Sequence, residues 1–418
     1  MKPIPCLDLS AGAPRAAMAR SLVAILACAC ALCVANVYYA QPLLDTMAGE
    51  FGISQAAAGG VITATQAGSA LSLVLLVPLG DMLERRTLML AQLTALVVAL
   101  AALACASSGT ALLAAMLAVG LLGTAMTQGL IAYAAAAASP AERGAVVGAA
   151  QGGVMIGLLS ARVAAGLIAD LAGWRAVYAV SSLAMLGLAI VLWSILPRQA
   201  PPARPLPYRH LLVSMLTLLR RERALQIRGV LALLLFAALS VCWSALVLPL
   251  TGAPHRLSHS AVGAFGLVGV AGAMAAARAG AWADRGFGQR TTAVALLLLL
   301  AAWLPLWFTT SSLWALALGV ILLDLGAQAI HVTNQSMIFS AGTHAHSRLV
   351  ACYMLFYAAG SGLGAIGSTA AYAAFGWSGV CLLGAATSLA ALLFWLATLA
   401  RMPLAPSTAH ASGGSALR

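Results

Sequence analysis

Long apolar runs separated by short polar stretches make up most of this chain. Each run is about 20 residues or longer, the length that an α-helix needs to cross the hydrocarbon core of a bilayer. Few polar positions interrupt the runs, as expected for helices that face lipid or other helices. We predict twelve membrane-spanning helices, over residues 21–43, 57–79, 87–106, 110–136, 145–169, 175–196, 229–251, 260–283, 291–309, 313–338, 349–374 and 378–400.

The composition excludes a water-soluble fold. Apolar residues make up 62% of the 418 residues and charged residues 8%, whereas a soluble domain carries about 25% charged residues. Twelve spans leave no room for a large soluble domain. The first run follows Lys2, Arg15 and Arg20 and resembles a signal peptide, but it continues to Leu44 and many spans follow. We interpret it as an uncleaved first span.

The basic residues predict the orientation. If the N-terminus is cytoplasmic, the inner segments hold 18 of the 22 Lys and Arg residues, and the outer loops hold only Arg175 and Arg256. This bias follows the positive-inside rule. It predicts a multi-pass protein of the bacterial inner (cytoplasmic) membrane with both termini cytoplasmic. The net charge of +12 therefore indicates topology and the lipid bilayer as partner, not nucleic acid.

A proline-rich and then basic stretch divides the predicted helices into two groups of six. We expect a cytoplasmic N-terminus (1–20), a first bundle (21–196), a linker (197–228), a second bundle (229–400) and a cytoplasmic tail (401–418). Apolar residues at near-helical spacing from His210 to Leu225 predict a helix on the membrane surface within the linker.

The two groups repeat one another. Asp81 after the second segment corresponds to Asp284 after the eighth, and Gly173-Trp174 before the sixth corresponds to Gly376-Trp377 before the twelfth. Both pairs are 203 residues apart. Two parallel six-helix repeats are typical of transporters that rock around a central site.

The loop after the second segment reads Val77-Pro-Leu-Gly-Asp-Met-Leu-Glu-Arg-Arg86 and resembles the Gly-x-Leu-Ala-Asp-Arg-x-Gly-Arg-Arg pattern of major facilitator superfamily transporters. A second copy begins at Gly280. The resemblance implies an all-α membrane protein, two six-helix bundles around a midplane cavity lined by the first, fourth, seventh and tenth helices, and alternating access. It also implies a conformational lock, although the charges would equally keep a short loop inside. The lock residues would be Gly80, Asp81, Arg85, Arg86, Asp284 and Arg285.

The stretch Ala35–Leu44, with the sequence ANVYYAQPLL, resembles the bacterial drug:proton antiporter and sugar-efflux branch. This likeness implies efflux. The branch carries a glycine motif in the fifth helix, and Gly148, Gly157 and Gly166 fit its spacing, which allows close helix packing. The central Gly-Pro of the motif is Ala161-Arg162 here, so the proline kink is absent.

Polar residues form one stripe on the tenth predicted helix. Asp324, Gln328, His331 and Gln335 are spaced i, i+4, i+7 and i+11 and share a face. Charge at bilayer depth is costly, so the stripe should face a cavity. A carboxylate in a low-dielectric site takes up a proton readily. We predict that Asp324 is the protonation site and His331 a relay or substrate contact; the alternative is a structural network that holds this helix to its neighbours.

Arg162 is the second charge within a span. It would pair with Asp324, bind an anionic group of the substrate through its forked guanidinium, or extend to Asp170 at the outer rim. The other predicted substrate-binding residues are Gln328, Gln335, Asn36, Gln41 and Gln66.

No motif indicates an enzyme, a cofactor or a metal site. A phosphate-binding GxxxxGK[ST] loop is absent. The sequence therefore predicts a monomeric secondary transporter that moves a small molecule by alternating access, with proton-coupled efflux favoured. The alternatives are proton-coupled import of a small organic anion and a membrane sensor that transports nothing.

Overall fold

A computed structural model describes residues 18–139, 142–197, 207–269, 278–279, 282–339 and 346–401, and these residues form α-helices and short turns without strands. The helices are α1 (Arg20–Tyr38), α2 (Leu44–Glu50), α3 (Gly60–Leu75), α4 (Arg85–Ala104), α5 (Gly109–Ala137), α6 (Arg143–Ala172), α7 (Trp174–Ile195), α8 (Tyr208–Arg221), α9 (Arg223–Ala245), α10 (Val247–Thr251), α11 (His259–Val268), α12 (Gly288–Ala301), α13 (Trp303–Trp307), α14 (Leu313–Phe339) and α15 (His346–Thr398).

Ten stretches within these residues are long and apolar enough to span a membrane. The last one, 51 residues in α15, would be about 75 Å long as one helix, more than twice the hydrocarbon thickness. It is interrupted at Gly376, whose φ of 65° is not helical, so it supplies two crossings. α11 makes up most of the described part of the eighth predicted segment. The fold is therefore the all-α, two-bundle membrane fold that the sequence predicts.

The internal repeat is visible in the backbone. Gly173, between α6 and α7, has a φ of 81°, and Gly376 has a φ of 65°. Both positive values favour glycine, and each glycine precedes a tryptophan whose indole nitrogen donates a hydrogen bond. Trp174 donates to Glu50 at 2.6 Å, and Trp377 donates to the carbonyl of Leu306 at 2.7 Å.

The outer surface of the helices is apolar. Trp314 and Leu171 are each 87% exposed, and Ile156 is 66% exposed. In water such a surface would be unfavourable, because each exposed large side chain forgoes about 1.5–3 kcal/mol of burial. Lipid tails are the solvent that suits it.

The two halves, residues 18–197 and 207–401, meet along two helix pairs. α3 packs on α15, and α6 packs on α11. Both contacts depend on glycine: a Cβ on Gly59 would overlap the backbone of Ala365, and a Cβ on Gly166 would overlap the backbone of His259. These contacts lie near the end of the molecule that holds Asp45 and Gly173, called here the far end. The opposite end, which holds the start of α1 and the end of α7, is called the linker end.

The linker is shorter than predicted. α9 begins at Arg223, so Arg228 lies inside a helix rather than in a basic loop, and it is fully buried. Its guanidinium donates to Thr292, Asn334 and Gln289 at 2.9–3.2 Å. These neutral acceptors come from α12 and α14, which explains why a charge that reads as a loop residue is held within the bundle.

Candidate functional site

The halves enclose a cavity of about 190 Å³ between them, called here the central cavity. Its lining comes from α1, α3, α5 and α6 of the first half and from α9, α14 and α15 of the second. It therefore includes the four helices that the resemblance implies, together with α3, α6 and α15.

The polar stripe of α14 faces this cavity. Asp324, Gln328, His331 and Gln335 all line it, and each is partly exposed to it. Asp324 lies near the middle of α14, at membrane depth. Gly269 faces it from the end of α11, and a Cβ there would come within 2.5 Å of the Oδ2 atom of Asp324. The carboxylate therefore occupies space that only a glycine leaves open.

Arg162 reaches the same cavity from α6. Its Nε donates to the Oε1 atom of Gln41 at 2.7 Å. Its guanidinium carbon lies 4.0 Å from the centre of the Trp243 ring, a cation–π contact that is strongest where water is excluded. The residue is only 6% exposed. Among the described residues no acceptor is hydrogen-bonded to its terminal amino groups, which leaves both for a ligand.

Asp324 and Arg162 bring opposite charges into the cavity from opposite halves. Both side chains line this cavity. They form no ion pair within 4.0 Å, so more than 4.0 Å separates the carboxylate oxygens of Asp324 from the guanidinium nitrogens of Arg162. Arg162 also does not reach Asp170, which instead binds the start of α11.

His331 belongs to a tyrosine-rich corner of the cavity. Its Nδ1 is hydrogen-bonded to the hydroxyl of Tyr353 at 3.0 Å, and its Nε2 lies 3.4 Å from the amide nitrogen of Gln335. Its ring contacts Phe236 edge-on, with 5.2 Å between ring centres. Nearby, the hydroxyls of Tyr38 and Tyr357 are hydrogen-bonded across the two halves. His331 thus connects the cavity to α15 rather than bonding directly to Asp324.

Two of the three remaining predicted contacts line the cavity and one does not. Gln41 and Gln66 belong to the lining. Asn36 is fully buried outside it: its amide donates to the carbonyl of Leu32 at 2.9 Å, and its Oδ1 accepts from the hydroxyl of Ser181 at 2.5 Å. Asn36 therefore ties α1 to α7 in this conformation.

The far end is closed by polar contacts between the halves. The imidazole of His259, at the start of α11, lies 3.1 Å from a carboxylate oxygen of Asp45 and 3.3 Å from one of Asp170. The backbone amides of His259 and Ser260 also donate to Asp170. On the other side, Thr369 accepts from the amide of Gly59 at 3.0 Å. We call the group Asp45, Asp170 and His259 the far-end latch.

The described residues leave the linker end open between the halves. A second cavity, of about 320 Å³ and called here the vestibule, lies between the halves there and shares Leu73 and Gln128 with the central cavity. Arg85, Arg143 and Arg348 line it. This arrangement gives a basic entrance from the linker end, while the far-end contacts exclude passage on the other side.

The predicted lock residues contact their own half where their side chains are described. Arg85 donates to the carbonyls of Gly80 and Ala132, and Arg86 donates to that of Trp193. Arg285 is exposed in the turn before α12. The side chains of Asp81 and Asp284 lie outside the part of the structure that is described. With the linker end open, these described contacts do not join the halves.

Two groups of residues at the site were not predicted from the sequence. Tyr38, Trp243 and Tyr357 were not among the predicted contacts, because tyrosine and tryptophan near helix ends usually anchor a helix at the membrane interface, yet all three line the central cavity. The far-end latch has no signal in spacing, because its members come from three separate loops or helix ends. The one signal in the sequence is that Asp45, Asp170 and His259 all lie at or near the ends of predicted segments on the outer side.

The comparisons with known proteins cover nearly the whole chain. The family model for the Major Facilitator Superfamily matches residues 26–285 and 247–416. The uncharacterized transporter YgaY of Escherichia coli O157:H7 is 41% identical over 382 residues, which is 91% of this chain and 96% of YgaY. The probable transporter SCO4007 of Streptomyces coelicolor is 32% identical over 392 residues, covering 93% of this chain and 89% of that protein.

Solved structures share the fold. A bacterial homolog of the human lysosomal transporter Spinster, in an inward-facing and occupied conformation, aligns with a TM-score of 0.72 at 14% identity, covering 92% of this chain and 97% of that one. The human organic anion transporter MFSD10 aligns with a TM-score of 0.63 at 21% identity, covering 90% and 99%. At these identities the likeness concerns the fold alone.

Proposed function

This chain belongs to the Major Facilitator Superfamily and is a multi-pass membrane transporter, and we propose that it exports a small molecule from the bacterial cytoplasm in exchange for protons. The observation that carries the proposal is the pair of opposite charges, Asp324 and Arg162, that the two halves place in one cavity without an ion pair. Rocking of the halves would expose this cavity to each side of the membrane in turn.

Asp324 supplies the proposed proton step. It is the one acidic side chain among the described residues that line the cavity, and it lies at membrane depth, where ionisable groups mark proton and substrate pathways. In the proposed cycle the outward-open protein takes a proton onto Asp324 and releases substrate. In the inward-open protein Asp324 loses the proton to the cytoplasm and binds substrate again.

The orientation follows from the basic residues. We place the linker end in the cytoplasm because the inner segments hold 18 basic residues and the outer loops two. The structure is then inward-open. The basic vestibule would be the cytoplasmic entrance, and the far-end latch would close the outer side during this part of the cycle.

The efflux direction is supported by the glycines of α6. Cβ atoms on Gly153 and Gly157 would overlap the backbone of α1, and one on Gly166 would overlap the backbone at the start of α11. α6 therefore contacts helices of both halves at once. Of these glycines, Gly157 and Gly166 fit the spacing of the antiporter motif together with Gly148, although a Cβ on Gly148 would meet nothing within 4 Å and the central Gly-Pro of the motif is Ala161-Arg162 here. The resemblance of Ala35–Leu44 favours the same branch.

His331 is proposed to move the proton between Asp324 and the linker end. Its hydrogen bonds with Tyr353 and Gln335 lie on the linker side of Asp324 along α14, which is the direction in which the inward-open protein must release a proton. A water molecule between Asp324 and His331 would complete the path.

A second function is favoured by one observation. The terminal amino groups of Arg162 lack acceptors among the described residues, and a guanidinium binds carboxylates through two parallel hydrogen bonds. A small organic anion bound there beside protonated Asp324 would travel in the same direction as the proton, which is import.

Reconstitution in liposomes tests both functions. A pH-sensitive dye is trapped inside, candidate compounds are added in panels, and the wild type is compared with Asp324→Asn. Substrate-dependent proton movement that vanishes in Asp324→Asn supports coupling at this residue, and its sign separates antiport from symport. Glu222→Gln, which removes an acid outside the cavity, is the matched control. Labelled substrate that moves equally in wild type and Asp324→Asn, without proton movement, would contradict the proposal.

A further inference from the structure

The two charges of the central cavity restrict the charge of its ligand. A charge buried away from water is costly unless an opposite charge pairs with it. An anion that binds Arg162 would leave an ionised Asp324 facing a second negative group. A cation that binds Asp324 would leave Arg162 facing a second positive group. A ligand that carries one charge of each sign satisfies both residues at once.

The space around Arg162 shows which ligand group it accepts. Its Nε is already bonded to Gln41, and Trp243 covers one face of the guanidinium. The two terminal amino groups remain, and they present the parallel donors that fit the two oxygens of a carboxylate. On the opposite half, the Asp324 carboxylate accepts hydrogen bonds only, which suits an ammonium group.

The remaining lining fits a small apolar body. Tyr38, Phe236, Trp243 and Tyr357 contribute four aromatic side chains from both halves, with 4.1 Å between the ring centres of Phe236 and Tyr357. The cavity volume of about 190 Å³ lies below the roughly 300–1,000 Å³ of pockets for drug-sized ligands. A cavity of this size and lining suits a compact molecule with an apolar part.

We propose that the substrate is a small zwitterion of the amino-acid type with an apolar side chain, whose carboxylate binds Arg162 and whose ammonium group binds Asp324. The assignment rests on the proposed exchange function, and it explains why substrate and proton would exchange. The ammonium group and the proton compete for the same carboxylate, so the cavity holds one or the other at Asp324. Such competition at one site is what antiport requires.

Direct binding tests the assignment on the wild-type protein. Isothermal titration calorimetry in detergent micelles is carried out with free phenylalanine, leucine and methionine and with two blocked forms of each, the N-acetyl compound and the methyl ester. At least one free amino acid should bind. Its two blocked forms should bind at least about thirtyfold more weakly, because each leaves a buried charge without its partner. Equal binding of a blocked form, or no binding by any free amino acid, would overturn the assignment.

Two variants then locate the groups. Asp324→Asn should bind the free and the N-acetyl compounds alike, and Arg162→Gln should bind the free compound and the methyl ester alike. Arg175→Gln, which removes a charge outside the cavity, should keep the wild-type preference. Calorimetry measures binding and not transport, so the proposed proton exchange and the proposed zwitterionic substrate can be refuted independently. A zwitterion that binds but moves without protons would contradict exchange, and proton exchange with methyl esters alone would contradict the zwitterion.

Discussion

Replacing Gly166 by alanine should open the far end of the protein. In the structure, a Cβ on Gly166 would lie 2.6 Å from the carbonyl carbon of His259 and would overlap its carbonyl oxygen. Ordinary contacts of this kind are 3.4–4 Å long. α6 and α11 must therefore separate by about 1 Å, since both obstructing atoms are backbone and no side chain can turn away.

The cost of this overlap sets the size of the effect. Overpacking of a close contact costs about 1–3 kcal/mol. The contact exists only while the far end is closed, so the cost falls on that conformation. The population ratio of far-end-closed to far-end-open protein should fall by about 5- to 150-fold.

Pulsed electron paramagnetic resonance measures the two populations. Spin labels are placed at Thr110 and Ser311, exposed positions at the far ends of the two halves. The long-distance population should grow in Gly166→Ala. Gly148→Ala is the matched control, because it lies in the same helix and a Cβ there meets nothing within 4 Å. A distance distribution in folded Gly166→Ala identical to that of Gly148→Ala would refute the reasoning.

Three further predictions concern residues around the site. Asn36→Ala should lower stability by about 1–3 kcal/mol through the lost bond with Ser181, which thermal unfolding would show; a lowered substrate affinity with unchanged stability would count against this structural role. Asp170→Ala removes the acceptor for the backbone amides at His259 and should enlarge the far-end-open population in the same spin-label experiment, whereas an unchanged distribution would contradict the latch. Hydrogen bonds from the backbone amides of Ser139 and Met18 lower the pKa of the Glu142 carboxyl; the stability that it adds is therefore present at neutral pH and is lost as the pH falls through the lowered pKa. The protection of the Met18 amide, measured relative to its intrinsic exchange rate at each pH, should fall in acid in the wild type and not in Glu142→Gln; a fall that persists in Glu142→Gln would exclude this cause.

The spacing of residues predicted the cavity face of α14 because a helix imposes its own geometry. Residues four or seven apart share a side, so Asp324 and His331 had to face one environment. Because a charged side chain is costly in lipid, that environment had to be a cavity or the protein interior. The same local logic predicted the two halves, since Gly173 and Gly376 repeat with their tryptophans.

The spacing of residues along the chain does not predict contacts between segments that are far apart in the sequence. Arg228 read as a linker charge because its neutral acceptors, Thr292, Asn334 and Gln289, lie 61–106 residues away. Asn36 was predicted as a substrate contact, and no sequence signal connects it to its partner Ser181 in α7, which is 145 residues away. In both cases the hydrogen-bond partners lie far along the chain, so tertiary packing and not spacing fixes the position of the polar side chain.

Tryptophan and tyrosine near helix ends raised the same difficulty. Trp243 lies close to the end of α9, where an interfacial anchor is the usual interpretation. Its ring instead covers Arg162 in the central cavity. A sequence does not show which face of α9 turns toward α6, so the aromatic part of the site emerged only from the structure.

Proton release on substrate binding tests the central claim most directly. Detergent-solubilised protein in weakly buffered solution is mixed with a bound member of the free amino-acid series, and the pH change is recorded from weakly acidic to weakly alkaline conditions. The account predicts proton release by the wild type within this range and none by Asp324→Asn. Equal release by both proteins, or proton uptake by the wild type, would contradict exchange of proton for substrate at Asp324.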